Sequence, residues 1–257
     1  MASNENTVTL EVSGSTARLT IHRPPLNFLN VQTAKMLGEA IDSLGSTPPC
    51  RALLVEAEGT AFCAGLEPSE LNRDNAFLLL ECFHGMLNAL NAFARPTIAV
   101  VRGMAVGAGC ELTACCDFVI AGEKALFGHP EIKVGSVPSV AHLLLPPLVG
   151  ARKAAEMITL GNLMTAGEAE SLGLITRAVP EDRLVPAADE LLRNLANLSS
   201  SVLELALQNA RRQRVQSLGQ NLKDAAALYL EQLLETEDQA EGIRAVAEKR
   251  APRWRHL

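Results

Sequence analysis

The first part of the chain alternates between segments with a strand-like pattern and segments with a helix-like pattern of hydrophobic residues. Apolar and polar residues alternate in TVTLEV (7–12) and ARLTIH (17–22), on either side of Ser13-Gly14-Ser15. This pattern predicts a β-hairpin. Asn30 is suited to cap a following helix that runs to Leu44, because apolar residues recur there at near-helical spacing.

The alternation continues to about residue 121. Short apolar runs predict buried strands over 51–56, 97–101 and 118–121. A helix is predicted over 75–93 and ends before Arg95-Pro96, since a residue that precedes proline disfavours helical backbone. Strands that alternate with helices are typical of an α/β domain, which is the fold class predicted here.

The rest of the chain is predicted to be mainly helical. A helix over 138–160 is expected to bend near Pro146-Pro147 and again at Gly150. Four amphipathic helices are then predicted over 185–198, 201–214, 221–235 and 238–248. The sequence therefore predicts a core over 1–190 and a helical C-terminal region over 191–257.

One stripe of the C-terminal region is apolar, and two interpretations of it stay open. Its members fall at helical spacing: Leu222, Ala225, Ala226, Tyr229 and Leu233. Such a stripe either packs against its own chain or forms an interface with another subunit. The pattern alone does not decide between the two, because both partners present an apolar surface.

Charge and composition exclude several classes of function. The 257 residues carry a formal net charge of −6, which argues against a nucleic-acid surface of clustered Lys and Arg. No apolar run approaches the length of a membrane span. The N-terminus lacks the basic start and apolar stretch of a signal peptide. We therefore expect a cytoplasmic protein with no membrane segment.

The cysteines and histidines do not suggest a metal site. The six cysteines form no C-x-x-C pair, and we expect them to be reduced, buried residues. The five histidines show no H-E-x-x-H and no metal-ligand spacing with cysteine, so structural roles are expected for them.

Two glutamates stand in loops that glycine and proline hold in place. Glu111 follows Gly107-Ala108-Gly109, and Glu131 follows His129-Pro130. Small residues at a helix start leave N–H groups free for a ligand, although a tight packing turn would use the same residues. If both carboxylates face one cavity, burial and like charge separate their pKa values and allow acid and base roles. Pro138 is expected at the first turn of the next helix.

The chain has two glycine turns of interest. The first lies in AFCAGLEPSEL (61–71) and contains Gly65, and the second is Gly107-Ala108-Gly109. One interpretation is a strand-to-helix turn, with Glu67 or Ser69 capping a helix that begins at Pro68. The other is an oxyanion hole, in which the N–H after Gly65 binds a developing negative charge.

Taken in order, several segments resemble those of one family. They are RPPLNFLN (23–30), AFCAGLEPSEL (61–71), the run from Pro96 to Pro138, GNLMTAGEAESLGLITRAV (161–179) and EGIRAVAEKRAPRW (241–254). Over nearly its whole length the chain resembles the crotonase superfamily of enoyl-CoA hydratases and isomerases. The resemblance implies a spiral of ββα units and a C-terminal helical region that assembles a homotrimer, often paired into a hexamer.

The resemblance also implies an activity on acyl-CoA thioesters. It implies that the backbone N–H groups of Leu66 and Ala108 form the oxyanion hole and that Glu111 and Glu131 are catalytic. Residues at matching positions for substrate or coenzyme A binding are Arg23, Leu26, Cys63, Gly65, Glu67 and Gly107. The implied reaction is the hydration of an enoyl-CoA, with coenzyme A as part of the substrate and with no metal or other cofactor.

Alternatives and departures from the family pattern remain. A double-bond isomerase needs one carboxylate, and a non-catalytic acyl-CoA-binding member would have lost a glutamate, which this chain has not. Glu67 replaces the usual aspartate, and Val140 and His142 lie where many hydratases have glycines. These two are candidates for the acyl pocket, with packing favoured for His142. A bulky or cyclic substrate, as in cyclic dienoyl-CoA hydratases, is a further expectation.

Overall fold

The computed structural model describes residues 6–45 and 50–256, and within them the chain forms two sheets surrounded by helices. The larger sheet contains β1 (Val8–Ser13), β2 (Thr16–Ile21), β3 (Ala52–Ala57), β4 (Thr97–Val101), β6 (Phe118–Gly122) and β9 (Arg177–Val179). The smaller sheet contains β5 (Met104–Val106), β7 (Leu126–Gly128) and β8 (Leu163–Thr165).

Ten α-helices are present in the same residues. They are α1 (Val31–Leu44), α2 (Ala76–Ala92), α3 (Ala108–Cys115), α4 (Ala141–Val149), α5 (Ala151–Leu160), α6 (Ala166–Ser171), α7 (Leu184–Ala196), α8 (Ser200–Ala210), α9 (Arg212–Ala227) and α10 (Glu237–Ala247).

The large sheet has the order β1-β2-β3-β4-β6-β9, with β1 antiparallel to β2 and the other neighbours parallel. The small sheet has the order β5-β7-β8. Along the chain, β4 and β6 lie in the large sheet, and the strand that follows each of them lies in the small one. Helix α3 then follows β5, and α4 follows β7. The chain therefore winds as a spiral of ββα units, which confirms the expected fold class.

Most of the predicted elements of the first half are present. The hairpin pairs Ser13 with Thr16 across its turn, and Asn30 caps α1 by accepting a hydrogen bond from the Thr33 N–H at 2.9 Å. The buried strands β3, β4 and β6 lie within a residue of their predicted bounds. Strongly periodic apolar segments identify their own structure because each buries one consistent face.

Two predicted helix starts differ from the structure, and one predicted bend, at Gly150, is a complete break. Only a single 3₁₀ turn, Pro68–Glu70, follows the first glycine turn, and neither Glu67 nor Ser69 caps it; the Ser69 hydroxyl instead donates to the Glu67 carboxylate at 3.1 Å. Pro138 precedes α4 and is not its first residue. The predicted 138–160 helix is divided at Gly150 into α4 and α5.

The C-terminal helices divide at Arg211 and not in the predicted gap at 215–220. Arg211 is buried, and its guanidinium is bonded to the carboxylate of Asp117, with one Nε–Oδ1 distance of 2.6 Å. Helix α9 runs through the predicted gap and continues as a π-helical turn, Leu228–Gln232. A tertiary ion pair, which local pattern does not encode, therefore sets the position of the break.

The apolar stripe of the C-terminal region is buried against its own chain. Leu222, Ala225 and Tyr229 are buried within the single chain, and Leu222 and Ala225 belong to the main hydrophobic core. Self-packing is therefore the correct interpretation of this stripe, and the alternative, an interface with another subunit, is wrong for its buried members. Residue 190, the predicted boundary, lies within α7, whose buried face packs on the large sheet.

Candidate active site

The two glutamates lie in the wall of one cavity. This cavity has a volume of about 230 Å³, and its wall includes both carboxylate residues and both glycine turns. The carboxylates and the glycine turns contribute Gly65, Leu66, Gly107, Ala108, Glu111 and Glu131 to this wall. They come from three separate segments of the chain, which the spiral brings together at one place.

Glu111 lies in the first turn of α3 and is only 1% exposed. Its Oε1 accepts hydrogen bonds from the backbone N–H groups of Val140 and Ala141, at 2.5 and 2.8 Å. The carboxylate thus binds the start of α4, which explains why that helix begins at Ala141 and not at Pro138.

Burial raises the pKa of Glu111 from its ordinary value of 4.5 to about 7. The charge of His129 and the two backbone hydrogen bonds lower it, whereas the charge of Glu131 raises it further. A carboxylate that titrates near neutral pH can take up and release a proton during a reaction cycle.

Glu131 lies in the 3₁₀ turn Pro130–Val134, which follows β7. Its side chain is one-fifth exposed, and its Oε1 lies 3.7 Å from Nδ1 of His129. A Cβ atom placed on Gly107 would lie only 2.7 Å from the same Oε1. The carboxylate therefore rests against the bare backbone of the second glycine turn, and glycine is required there for this approach as well as for its φ of +57°.

The two glycine turns place backbone N–H groups next to the glutamates. A Cβ on Gly65 would lie 3.9 Å from the backbone nitrogen of Ala108, so the turns are in contact. Ala108 begins α3, where an N–H has no partner within the helix. The Glu67 N–H donates to the Leu29 carbonyl. Successive peptide groups of an extended segment point to opposite sides. The N–H of Leu66 is therefore directed away from Leu29.

Comparison with known proteins identifies the family. A sequence model described as "Enoyl-CoA hydratase/isomerase" matches residues 11–256. This chain belongs to the enoyl-CoA hydratase/isomerase family. A probable enoyl-CoA hydratase of Mycobacterium bovis is 35% identical over 97% of this chain and 98% of its own length. The cyclohexa-1,5-dienecarbonyl-CoA hydratase of Thauera aromatica is 33% identical over 98% of each chain.

Solved structures of the enoyl-CoA hydratase/isomerase family share the fold. An enoyl-CoA hydratase/isomerase from Pseudoalteromonas atlantica superposes with a TM-score of 0.85 at 28% identity, covering 96% of this chain and 99% of that one. An enoyl-CoA hydratase from Mycobacterium avium superposes with a TM-score of 0.84 at 26% identity, covering 96% and 98%.

The residues expected to bind substrate or coenzyme A lie around the first glycine turn. Arg23 pairs with Glu67 at 3.2 Å and donates to the Phe28 carbonyl. The Leu26 carbonyl accepts a hydrogen bond from the Ala64 N–H. Cys63 is fully buried, and burial raises the pKa of its thiol to about 12, so the Cys63 side chain is a neutral thiol at neutral pH.

The two acyl-pocket candidates do not lie in the wall of the cavity. Val140 is completely buried, and it contributes to the site through its backbone N–H to Glu111. His142 is exposed and lies in the first turn of α4. The backbone N–H groups of Val140 and Ala141 are the donors to the glutamate, and any effect of the Val140 and His142 side chains on specificity stays a prediction.

The sequence did not point to several residues that line the cavity. They are Phe28, Ser136, Ser139, Tyr229, Ile243 and Val246. Tyr229 was predicted only as part of the apolar stripe, and its hydroxyl lies 2.9 Å from that of Ser136. The C-terminal region thus closes the active site of its own chain. Tyrosine within an otherwise aliphatic stripe was the one available signal, since a buried hydroxyl needs a partner.

Buried histidines and cysteines have separate environments. His84 bonds to the Ser139 hydroxyl at 2.6 Å, and burial lowers its pKa to about 4. The six cysteines all lie in the described part of the chain and are free; five are buried, as predicted, and Cys82 is half-buried. No group of three metal-ligating side chains occurs within residues 6–45 and 50–256. Within the same ranges, no helix has the length and apolar character needed to cross a bilayer.

A larger open groove, of about 860 Å³, lies between the end of α2 and helices α8 and α9. Its lining residues include neither Glu111 nor Glu131, and neither of the two glycine turns. We place the active site in the smaller cavity because the groups that can perform chemistry converge there.

Proposed function

We propose that the protein catalyses the reversible addition of water to a C=C bond conjugated with a coenzyme A thioester. The observation that carries this proposal is the convergence of Glu111, Glu131 and the two glycine turns on one cavity. The family membership and the relatives named as hydratases support it. Coenzyme A is part of the substrate, and the proposed reaction needs no other cofactor.

In this proposal the thioester oxygen binds to the backbone N–H groups of Leu66 and Ala108. Addition of hydroxide to the β-carbon places negative charge on that oxygen, which gives an enolate. Donors that are already oriented toward this position stabilise the charge without rearrangement, and one such donor contributes roughly 3 kcal/mol when tested by removal. Gly107 keeps the approach open because a Cβ there would lie 2.7 Å from Oε1 of Glu131, and Gly65 has a φ of +116°, which a residue with a side chain rarely adopts.

The two glutamates divide the proton transfers. Glu111 accepts a proton from water as the water attacks the β-carbon, and a pKa near 7 suits a base that must also release that proton. Glu131 donates a proton to the α-carbon of the enolate and is left as a carboxylate. Before the next hydration Glu111 releases its proton to solvent and Glu131 takes one up, which balances the protons over the cycle; in dehydration each group takes the opposite role.

A finer part of the proposal concerns the acyl group. The cavity is mostly apolar, and its polar side chains are the two glutamates, Ser136, Ser139 and Tyr229. One relative is named as a hydratase of a cyclic dienoyl thioester. We propose that a cyclic or otherwise bulky acyl group is preferred to crotonyl.

The test is a panel of enoyl- and dienoyl-CoA esters assayed with the purified protein. Loss of absorbance of the conjugated thioester, together with a product heavier by one water, supports hydration. A Glu111→Gln/Glu131→Gln double variant, purified in parallel, measures the contribution of contaminating host hydratases. No hydration of any ester above that background would refute the proposed function.

The same panel separates the alternatives. A product of unchanged mass with a shifted double bond would identify an isomerase. Tight binding of the esters without turnover would identify a non-catalytic binding protein. If crotonyl-CoA has the highest kcat/KM of the panel, the preference for a bulky acyl group is wrong while the hydratase activity stands, because specificity resides in differential transition-state binding.

A further inference from the structure

Three buried polar atoms without a hydrogen-bond partner lie together behind the cavity. In the part of the chain that the structure describes, these are Nδ1 and Nε2 of His129 and Oε2 of Glu131. Buried polar groups are nearly always paired, because leaving one unpaired costs free energy of folding. Their clustering beside a proposed catalytic carboxylate indicates that function, and not stability, maintains them.

His129 is held firmly in this position. The ring is 0% exposed, and its Nδ1 lies 3.7 Å from Oε1 of Glu131. On one side of it, a Cβ on Gly128 would lie 2.7 Å from the Asn162 carbonyl; on the other, Pro130 restricts the chain. A Cβ on Gly161 would lie 3.2 Å from the carbonyl of His129 itself. The backbone on both sides of His129 is therefore closely packed, and a small movement of the Glu131 carboxylate would close the 3.7 Å gap to the ring.

We propose that His129 is a positioning residue for Glu131: a ring N–H donates to the carboxylate once substrate fills the cavity and stabilises the negative charge that Glu131 acquires when it gives its proton to carbon. This inference rests on the proposed function. The histidine keeps its own proton throughout, so the transferred proton is that of Glu131. Long catalytic hydrogen bonds in a ligand-free site commonly shorten when the substrate complex forms.

The surroundings of the ring favour an N–H on the side of Glu131. Burial opposes protonation of the ring, but Cys110 and Glu131 together raise the pKa of His129 well above its ordinary range. Glu111 also interacts with the ring charge, because His129 lowers the pKa of that carboxyl. The imidazole is thus the positively polarised group next to both glutamates.

Two substitutions test this role. His129→Asn keeps an N–H donor close to the position of Nδ1, whereas His129→Leu has a similar volume and no donor. We expect His129→Leu to lower kcat roughly 10- to 100-fold, the effect of losing a hydrogen bond to a charged group. KM should change little, because an interaction that forms fully only in the transition state lowers kcat and kcat/KM equally. His129→Asn should recover most of the lost kcat.

Thermal unfolding distinguishes positioning from a structural role. Because His129→Leu removes two unpaired nitrogens from the interior, we expect its Tm to be unchanged or higher than that of the wild type. The matched control is His84→Leu, which removes a ring whose nitrogen does have a partner, Ser139, and should lower Tm. Equal losses of Tm in the two variants, or a wild-type kcat in His129→Leu, would overturn the proposal.

A measurement without turnover keeps this inference separate from the proposed function. Protein labelled with ¹⁵N-histidine should show a ring N–H signal of His129, and addition of acetyl-CoA should shift it downfield as the bond to Glu131 shortens. Glu131→Ala should abolish this shift. If the wild type hydrates no ester, the proposed function fails, and this signal still decides whether the His129–Glu131 contact forms. A shift that persists in Glu131→Ala would overturn the contact.

Discussion

At the scale of single residues, Glu111 has two functions that depend on each other. Its carboxylate holds the first N–H groups of α4, and it also faces the cavity beside Glu131. Burial in this position destabilises the charged form, which raises the pKa to about 7. The same desolvation that makes Glu111 a useful proton acceptor therefore reduces the stability of the folded protein at neutral pH.

Replacement of either glutamate by glutamine tests the division of acid and base roles. We expect Glu111→Gln and Glu131→Gln each to lower kcat by about 10²- to 10⁴-fold, the usual contribution of a general acid or base. The fold should persist because glutamine has nearly the same shape. Near wild-type turnover by either variant, measured with the best ester of the panel, would contradict the two-glutamate mechanism.

The stability of the protein should depend on the ionisation of Glu111. Because its folded-state pKa is raised, the stabilising contribution is complete below pH 4.5 and is lost as pH rises through about 7. The rise from 4.5 to about 7 corresponds to roughly 3 kcal/mol at most. We therefore expect Glu111→Gln to gain stability relative to the wild type between pH 5 and pH 8. Urea unfolding at fixed protein concentration measures this, and parallel pH profiles would contradict it.

At the scale of elements, a buried ion pair attaches the C-terminal helices to the sheet. Arg211, between α8 and α9, binds the carboxylate of Asp117 and two backbone carbonyls at the end of α2. Burial alone would raise the pKa of Asp117, but Arg211 and Arg214 hold it below its ordinary value. The pair is nearly inaccessible to solvent, so its loss would leave an uncompensated charge in the interior.

Removal of one partner should be strongly destabilising. We expect Arg211→Met to lower the free energy of unfolding by about 3–5 kcal/mol, the cost of breaking a buried pair. Arg18→Met is the control, because Arg18 and Glu56 form a more exposed pair that contributes about 0–1 kcal/mol. Denaturant unfolding checks both values, and equal effects of the two substitutions would show that Arg211 does not anchor the helices.

At the scale of the whole molecule, the C-terminal region lines the candidate active site of its own chain and leaves a different face exposed. Tyr229, Ile243 and Val246 belong to the cavity wall. On α8, by contrast, Val202 and Leu205 are 65% and 61% exposed. Leu205 also lines the large groove beside α2. An exposed apolar face of this kind commonly marks an interface, and we propose it as the one used in assembly.

The protein should sediment as a trimer or a hexamer of its 27.4 kDa chain. If the α8 face forms the interface, Leu205→Glu should shift the protein toward monomer, because burying a charge there carries a large desolvation cost. Val12→Glu, at an exposed apolar position of the β1 edge, is the control and should leave assembly unchanged. A single 27 kDa species of the wild type at micromolar concentration would contradict this prediction.

How much of this could be predicted from the sequence depends on the distance over which each feature is encoded. Alternation in β1 and β2, the cap at Asn30 and the runs of β3, β4 and β6 are local patterns, and the structure confirms them. Glycine punctuation likewise indicated both turns and both glutamates. The short strands β5, β7, β8 and β9 were not predicted, since three residues are too few to show a period.

Other features depend on contacts between distant segments, and only the tertiary structure determined them. The start of α4 depends on a carboxylate of α3, and the break between α8 and α9 depends on Asp117. The stripe containing Tyr229 is equally apolar whether it packs on its own chain or on another, so only the folded chain decided between them. The unpaired ring of His129 likewise became visible only when its surroundings were complete. By itself the sequence determined the periods, the turns and the family; the partner of each side chain depends on three-dimensional proximity, which a local pattern does not specify.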